Sequence, residues 1–372
     1  MKKCIILSLV ILLALSGCDF PINTNAPGKT IPSEKILSEQ ETGIKPAAKT
    51  AAQPETKPVN ETQAAIPDEK SPAVQPAAGE PSQTTPVTLY YQTSDGFIVP
   101  ATRRIAKQEG IARAAINGLT DNAINRESLE YYGLYPVLPE GTDILGLTIK
   151  NGTAIIDFNT KLLNYENEAS ERNIIAAVVY TLTEFRTVKE VKMLINGVPV
   201  RKMKFASDIP SLLSRDNILV NAGRLNMKAG SAGKLDLYVF KNVNEEQYLL
   251  PLSSEVTREE LGELPGKLVK MLGDGFRDDK FYSELPRETR LIKSGIKGST
   301  LTLDFNKALI SYGGGTARED GILRQILHSA KQIKGVDRVK ILIDGEIPEL
   351  PEGSDVSEEL AIPQVINDLI DK

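Results

Sequence analysis

The chain has 372 residues, 44 basic against 49 acidic side chains and a formal net charge of −5, with both signs mixed along its length. That balance, without any basic tract, argues against a nucleic-acid partner. A single His and two Cys leave no cysteine–histidine metal set and point to no cofactor. The length allows two or three domains.

The N-terminus reads as an export signal. Met1-Lys2-Lys3 precedes an apolar run from Ile5 to Leu15, broken only by Ser8. Such a run is too short to span a bilayer as a helix, which takes about 20 apolar residues. A basic start, a short apolar core and a small-residue end mark a cleaved signal over 1–17 instead. It closes on Leu15-Ser16-Gly17-Cys18, which resembles the lipobox of bacterial lipoproteins. The resemblance implies that the Cys18 thiol carries diacylglycerol and holds the protein to a membrane; two acyl chains anchor stably where one does not. Cys4 leaves with the signal, so no internal disulfide is expected.

Residues 18–85 are dominated by Pro, Ala, Thr, Glu, Lys and Gln, as in Lys45-Pro46-Ala47-Ala48-Lys49. This composition buries too little apolar surface to offset the entropy of ordering, and predicts a disordered tether. As a flexible coil it would reach ~45 Å, and its prolines would extend it.

The remainder contains one unit twice, over 86–204 and 234–352, joined by a linker at 205–233 and followed by a tail at 353–372. Val87-Thr88-Leu89-Tyr90-Tyr91 and Leu235-Asp236-Leu237-Tyr238-Val239 each predict an opening strand. One face of a following helix is supplied by Ile111, Ala112, Ala115, Ile116 and Leu119, and in the second copy by Leu264, Leu268, Met271 and Leu272. Next comes a hairpin. Leu145, Leu147 and Ile149 alternate before Asn151-Gly152, and Ala154 to Asn159 follow; the second copy turns on Gly298-Ser299 before Leu301 to Asn306. Asn-Gly and Gly-X are the dipeptides of the two tight hairpin turns, so two chemistries meet one geometric demand.

A longer helix then carries Ile174, Ile175, Val178, Val179, Leu182 and Phe185 at helical spacing, matched by Ile322, Leu323, Ile326, Leu327, Ala330 and Ile333. Thr316 and Glu319 predict a capping box at the second of these. Val191 to Ile195 ends at Asn196-Gly197, and Val339 to Ile343 at Asp344-Gly345. Each unit is therefore strand, helix, hairpin, helix, strand, with room for an extra strand near Gly96 to Val99. The class is α+β, helices covering one face of a small mixed sheet. Leu212, Leu213, Ile218 and Leu219 would dock the linker onto a neighbour, and Leu360 to Leu369 would form a short terminal helix.

Little of this carries chemistry. His328 lies in the second long helix beside Leu327, where the first copy has Tyr180. With no second His it reads as a half-buried structural residue rather than a base or a ligand. Asp157 and Asp304 are equivalent, but no acid–base partner repeats beside them; aspartates at strand ends bond nearby backbone. Gly313-Gly314-Gly315 lacks the Lys-Ser/Thr of a phosphate loop. Gly273-Asp274-Gly275 with Asp278 and Asp279 lacks calcium-loop spacing. An enzyme would need a deep polar pocket with convergent titratable groups. The absence of Trp argues against aromatic platforms for wall glycans, the alternative to an assembly role.

Taken together, the motifs resemble the tandem GerMN (sporulation and germination) domain family. The residues that carry the resemblance are Leu89-Tyr90, Leu138-Pro139 with Gly141-Thr142, Ile155-Ile156-Asp157-Phe158, Thr181 to Phe185, Val188, Val191 and Asn196-Gly197. The second copy departs with Ala330 for the Leu182 type, Gln332 for Glu184 and Glu288 for Gly141. The resemblance implies a non-enzymatic envelope lipoprotein of endospore formers, similar to ring-building domains. It also implies association with other sporulation envelope proteins where mother cell and forespore meet, and in germination. It carries over no catalytic residue.

Overall fold

A computed structural model describes residues 84–205, 208–276 and 279–369. The export signal, Cys18 and nearly all of the tether lie outside them, as does Asp278.

The first unit opens on a hairpin. β1 (Thr84–Thr93) pairs antiparallel with β2 (Ile98–Ala106). The extra strand expected near Gly96 to Val99 is thus present and long. α1 (Ile111–Asn117) and α2 (Ala123–Glu130) follow, then the short β3 (Leu134–Tyr135), which returns to β1. β4 (Ile144–Lys150) and β5 (Thr153–Phe158) form the predicted second hairpin. Asn151 and Gly152 both take positive φ, 53° and 82°, the requirement of the turn that Asn-Gly favours. α3 (Glu168–Leu182) then crosses to β6 (Glu190–Ile195), which runs parallel to β5, and β7 (Val198–Pro199) closes the sheet.

The second unit repeats the plan. β8 (Gly233–Val243) pairs with β9 (Glu246–Val256), and α4 (Arg258–Gly262) and α5 (Leu264–Asp274) follow. β10 (Leu291–Lys297), β11 (Thr300–Phe305), α6 (Gly315–Ala330), β12 (Arg338–Ile343) and β13 (Leu360–Ala361) complete it. β9 has no counterpart in the predicted elements, because Tyr248-Leu249-Leu250-Pro251-Leu252 does not alternate and contains a proline. Proline is confined to sheet edges, and β9 is such an edge.

In each unit the hairpin and the mixed sheet are separate sheets. In the first unit α3 contacts both. That explains why not only its predicted stripe but also Ala176, Ala177, Tyr180 and Thr181 are buried; a helix apolar nearly all round has protein on most sides. Most buried apolar residues of both units join one core from Val87 to Leu369, and Tyr238, Phe240, Leu249 and Ile366 form a second, smaller cluster.

Two local expectations change. The N-cap of α6 is Gly314, with φ 119° and no side-chain bond, so the Thr316–Glu319 capping box does not form. Glu319 is fully buried instead, accepting hydrogen bonds from the Tyr312 hydroxyl and the backbone N–H groups of Glu352 and Ser354. In the first unit Glu171 does the same with Tyr165 and the N–H of Phe205. Each buried carboxylate thus clasps the chain leaving its own unit. Lastly, residues 362–369 form no helix; Pro363 lacks an N–H, and the segment bonds to β2 through Ile366 and Leu369.

Candidate functional site at the junction of the two units

β2 and β9 are both sheet edges, and they lie side by side. An edge exposes unpaired backbone groups. Here two irregular segments cover them crosswise. The segment after the first unit runs along the second unit's strand: Val220 N–H donates to Ser253 Oγ (2.9 Å) and accepts at its carbonyl from Ser253 N–H (3.0 Å). The segment after the second unit runs along the first unit's strand: Ile366 N–H donates to Thr102 Oγ1, and Thr102 N–H returns a bond to Ile366 O, both 2.9 Å.

Next in chain come Asn221 and Asn367, with φ 56° and 45°. Asn tolerates this left-handed geometry better than most residues. Asn221 accepts from Ile98 N–H (2.7 Å) and donates to the carbonyls of Ile98 (2.9 Å) and Pro251 (2.8 Å). Asn367 accepts from Leu249 N–H (3.0 Å) and donates to the carbonyls of Leu249 and Pro100, both 2.7 Å. Ile98 and Leu249, and likewise Pro100 and Pro251, hold matching places on their strands. Two amides therefore brace the same pair of edges in a pseudo-twofold arrangement. The prolines offer only carbonyls, and each amide's NH₂ takes one of them.

At the C-terminal ends of the long helices the junction is ionic. The Glu184 carboxylate accepts from the Tyr90 hydroxyl (2.8 Å), Arg215 of the linker (2.6 Å) and Lys331 of the second unit (2.8 Å). Arg215 also caps the Tyr180 carbonyl at 2.9 Å and lies over the Tyr180 ring, 4.5 Å from its centre. Asp236 takes bonds from Lys234, Ser253 and the Tyr180 hydroxyl. Burial alone would raise the Glu184 carboxyl; Arg215 and Lys331 outweigh it and hold the group at about 2. Burial likewise opposes ionisation of Asp236, and Lys234 overcomes it. Burial drives Tyr90 and Tyr180 well above the usual phenol range, so both stay neutral donors.

A cleft of about 1330 Å³ opens over this cluster, walled by Leu261, Leu264, Ile333 and Ile362. It meets the size and the titratable content that an enzyme reading demands. Two of its acids, Glu184 and Asp236, do not help that reading. Both oxygens of Glu184 and both of Asp236 already accept bonds from the protein. A general base needs a lone pair facing the proton it removes.

The residues weighed from sequence lie elsewhere. Asp157 accepts from Gly197 N–H at 2.9 and 3.0 Å, and Asp304 from Gly345 N–H at 2.9 Å. Both therefore brace the turn after the parallel strand, Asn196-Gly197 or Asp344-Gly345, whose residues all have positive φ. His328 is 2% exposed, with its ring 5.6 Å from Tyr238. Burial first, then Lys331 and Arg324, push it down to about 3, so it is neutral. It is more deeply buried than expected and structural. Gly313 is tied back by Arg318 at 3.0 Å, and Asp274 pairs with Lys270 and Arg290. The structure brings none of these into the cleft. Arg215, Asn221 and Asn367 lie in the linker and the tail, where no periodicity flags them. Their one signal is the recurrence of an aliphatic pair before Asn, Leu219-Val220-Asn221 and Val365-Ile366-Asn367.

The fold and junction define a class: a tandem of αβ units whose connecting segments cross over to lock them together. The profile of the Germane family, described as sporulation and spore germination, matches residues 88–201 and 236–349. The chain belongs to this family of sporulation and spore germination proteins. It is 26% identical over 298 residues to the spore germination protein GerM of Bacillus subtilis (strain 168), covering 78% of this chain and 80% of that protein. Its fold matches the tandem GerMN domains of the sporulation protein GerM from Bacillus subtilis, with TM-score 0.69 and 24% identity, over 77% of this chain and 99% of that one.

Proposed function

We propose that this chain is a lipid-anchored, non-enzymatic envelope protein that acts in sporulation and germination as an assembly component between mother cell and forespore. The attachment is diacylglycerol on Cys18, and residues 18–85 hold the folded part clear of the membrane. Among the described residues no helix is long and apolar enough to cross a membrane.

The observation that carries the reading is the double asparagine brace with the Glu184 bridge. These polar groups hold two units in one orientation and leave the outer surfaces for partners. A rigid pair of this kind offers other sporulation envelope proteins surfaces at a fixed angle. A head-to-tail contact through them closes into a ring only if its rotation permits.

Affinity capture from sporulating cells tests this. The parent chain should retain envelope partners, and a chain with Asn221→Gly and Asn367→Gly should lose them while its units stay folded. Equal capture by both would defeat the scaffold reading. Retention on purified cell wall without partner proteins would favour wall binding instead. Unchanged tight membrane retention of a Cys18→Ala chain would remove lipidation as the cause of anchoring.

A further inference from the structure

The two mixed sheets are alike in backbone and unlike in charge. Each keeps one face on its helix and leaves the other uncovered. In the first unit the open face presents Gly146, Thr148 and Lys150 of β4, Thr153, Ile155 and Asp157 of β5, and Glu190, Lys192 and Leu194 of β6. Its charges cancel. At the matching positions the second unit has Lys293, Gly295 and Lys297; Thr300, Thr302 and Asp304; and Arg338, Lys340 and Leu342. Gly146 has become Lys293 and Glu190 has become Arg338, each opposite a residue that the units share, Asp157/Asp304 or Thr153/Thr300. Four cations now face one aspartate, whose Oδ1 already holds Gly345 N–H. Glu359 lies beside them, taking the Thr300 hydroxyl at 2.8 Å, while its carbonyl holds Arg338. The face remains net positive. Lys293, Lys297 and Lys340 form no ion pair among the described residues.

We propose that the open sheet face of the second unit docks on an anionic membrane surface, its lysines against lipid phosphates. The inference rests on the membrane-anchored reading above. The complementarity is of charge: three short neighbouring strands present four cations on one open face. Each Lys or Arg near an anionic leaflet contributes about 1 kcal/mol, close to fivefold in affinity, and the effect falls within a Debye length. A tethered unit meets that surface at high effective concentration.

The test uses the mature chain with Cys18→Ala, so that no lipid contributes. Co-sedimentation with phosphatidylcholine vesicles containing about one third phosphatidylglycerol should show salt-sensitive binding, and pure phosphatidylcholine vesicles should not. Lys293→Gly with Arg338→Glu installs the first unit's own residues and removes three units of positive charge, which should weaken binding on the order of 100-fold. Lys297→Gln with Lys340→Gln disturbs no hydrogen bond among the described residues and should weaken it about 25-fold. Lys150→Gln with Lys192→Gln on the neutral face should change it by less than about threefold. The proposal is overturned if the parent ignores the anionic vesicles, if the first two variants bind like the parent, or if a soluble acidic wall polymer is retained in preference to vesicles. Because the chain carries no lipid, failure here leaves the Cys18 anchor standing, and failure of that anchor leaves this result readable.

Discussion

At the end of its long helix the first unit carries Glu184, and the second carries Gln332 at the same place. Gln332 bonds both backbone groups of Asp236 on its own unit's opening strand, each at 2.8 Å. Glu184 instead reaches outward, to the linker through Arg215 and to the other unit through Lys331. The neighbouring strand position diverges in the opposite sense. Thr88 meets Thr102 by a neutral hydroxyl pair at 3.1 Å, and its equivalent Asp236 meets Ser253 with an ionised group that also takes the first unit's Tyr180 hydroxyl. One fold is thus used twice, and each copy acquires its charge where it faces the other. Divergence between repeats marks the junction better than any motif.

Removing the outward-reaching carboxylate is the severest way to break this. Glu184→Ala leaves Arg215 and Lys331 beside one another in a mostly buried site. Breaking one partner of a buried ion network costs about 3–5 kcal/mol. Denaturant unfolding should show that loss. Gln332→Ala, which removes only neutral bonds, should cost about 1–2 kcal/mol. Equal losses would mean the two corners do the same work.

The braces come next. Asn221→Gly and Asn367→Gly keep the positive φ and delete three hydrogen bonds each, so the change reads the side chain and not the backbone. Each should cost about 2–3 kcal/mol, set by the edge groups left without partners. The pseudo-twofold geometry predicts similar values at the two sites. A large cost at one and none at the other would show that the symmetry is only geometric. Hydrogen exchange at Ile98 and Leu249, whose N–H groups the two amides hold, reports each brace separately.

Much of this molecule was legible beforehand, for local reasons. The tight turns at Asn151-Gly152 and Gly298-Ser299 follow from φ alone, and the long helices from a periodic aliphatic stripe that survives in both copies. β9 was hidden because Leu249, Leu250 and Leu252 around a proline look like neither alternation nor helix. The clasp by Glu319 looks in sequence like a capping box because the same Thr-x-x-Glu spacing serves both, and only burial separates them. The junction was the least readable part. Several of its bonds join residues more than a hundred positions apart, as between Asn221 and Ile98 or Asn367 and Leu249, and no period or turn rule spans such distances.

Acid separates the units in another way. His328 occupies the place of Tyr180, which does not titrate near neutrality. The folded His328 sits at about 3 because burial, then Lys331 and Arg324, disfavour its charged form, against the weaker pull of Glu184. Its unfolded counterpart binds a proton near 6.5. Between those values the unfolded chain holds more protons, so stability is complete above pH ~6.5 and declines as pH falls toward ~3. At pH ~5 the loss should approach 2 kcal/mol. Glu184 enters lower, losing its contribution only as pH falls from its unfolded range toward about 2. His328→Phe should flatten the upper part of the profile and leave the lower part. Hydrogen exchange at pH ~5 should show α6 opening before α3. If the parent and His328→Phe fall together from neutrality, the imidazole is not the cause.

The smallest difference is the most local. Gly141 in the first unit has φ 77°, and its counterpart Glu288 is held at φ 67°. A side chain in that region costs roughly 1–2 kcal/mol because its Cβ crowds the backbone, and glycine escapes it. Glu288 gains little in return: its side chain is 84% exposed and stands 3.9 Å from Arg290, a surface pair of small worth. The turn persists because Asn306 bonds the Glu288 carbonyl at 3.0 Å and the Arg290 N–H at 2.9 Å. Those bonds use backbone groups that glycine also has. Glu288→Gly should therefore stabilise the protein by about 1 kcal/mol, after the extra chain entropy of glycine is subtracted, and Gly141→Glu should cost about as much. Thermal unfolding of the two single variants and of the exchanged pair settles the matter, since the pair should return close to the parent. A destabilised Glu288→Gly would show that the carboxylate is needed at that corner of the second unit.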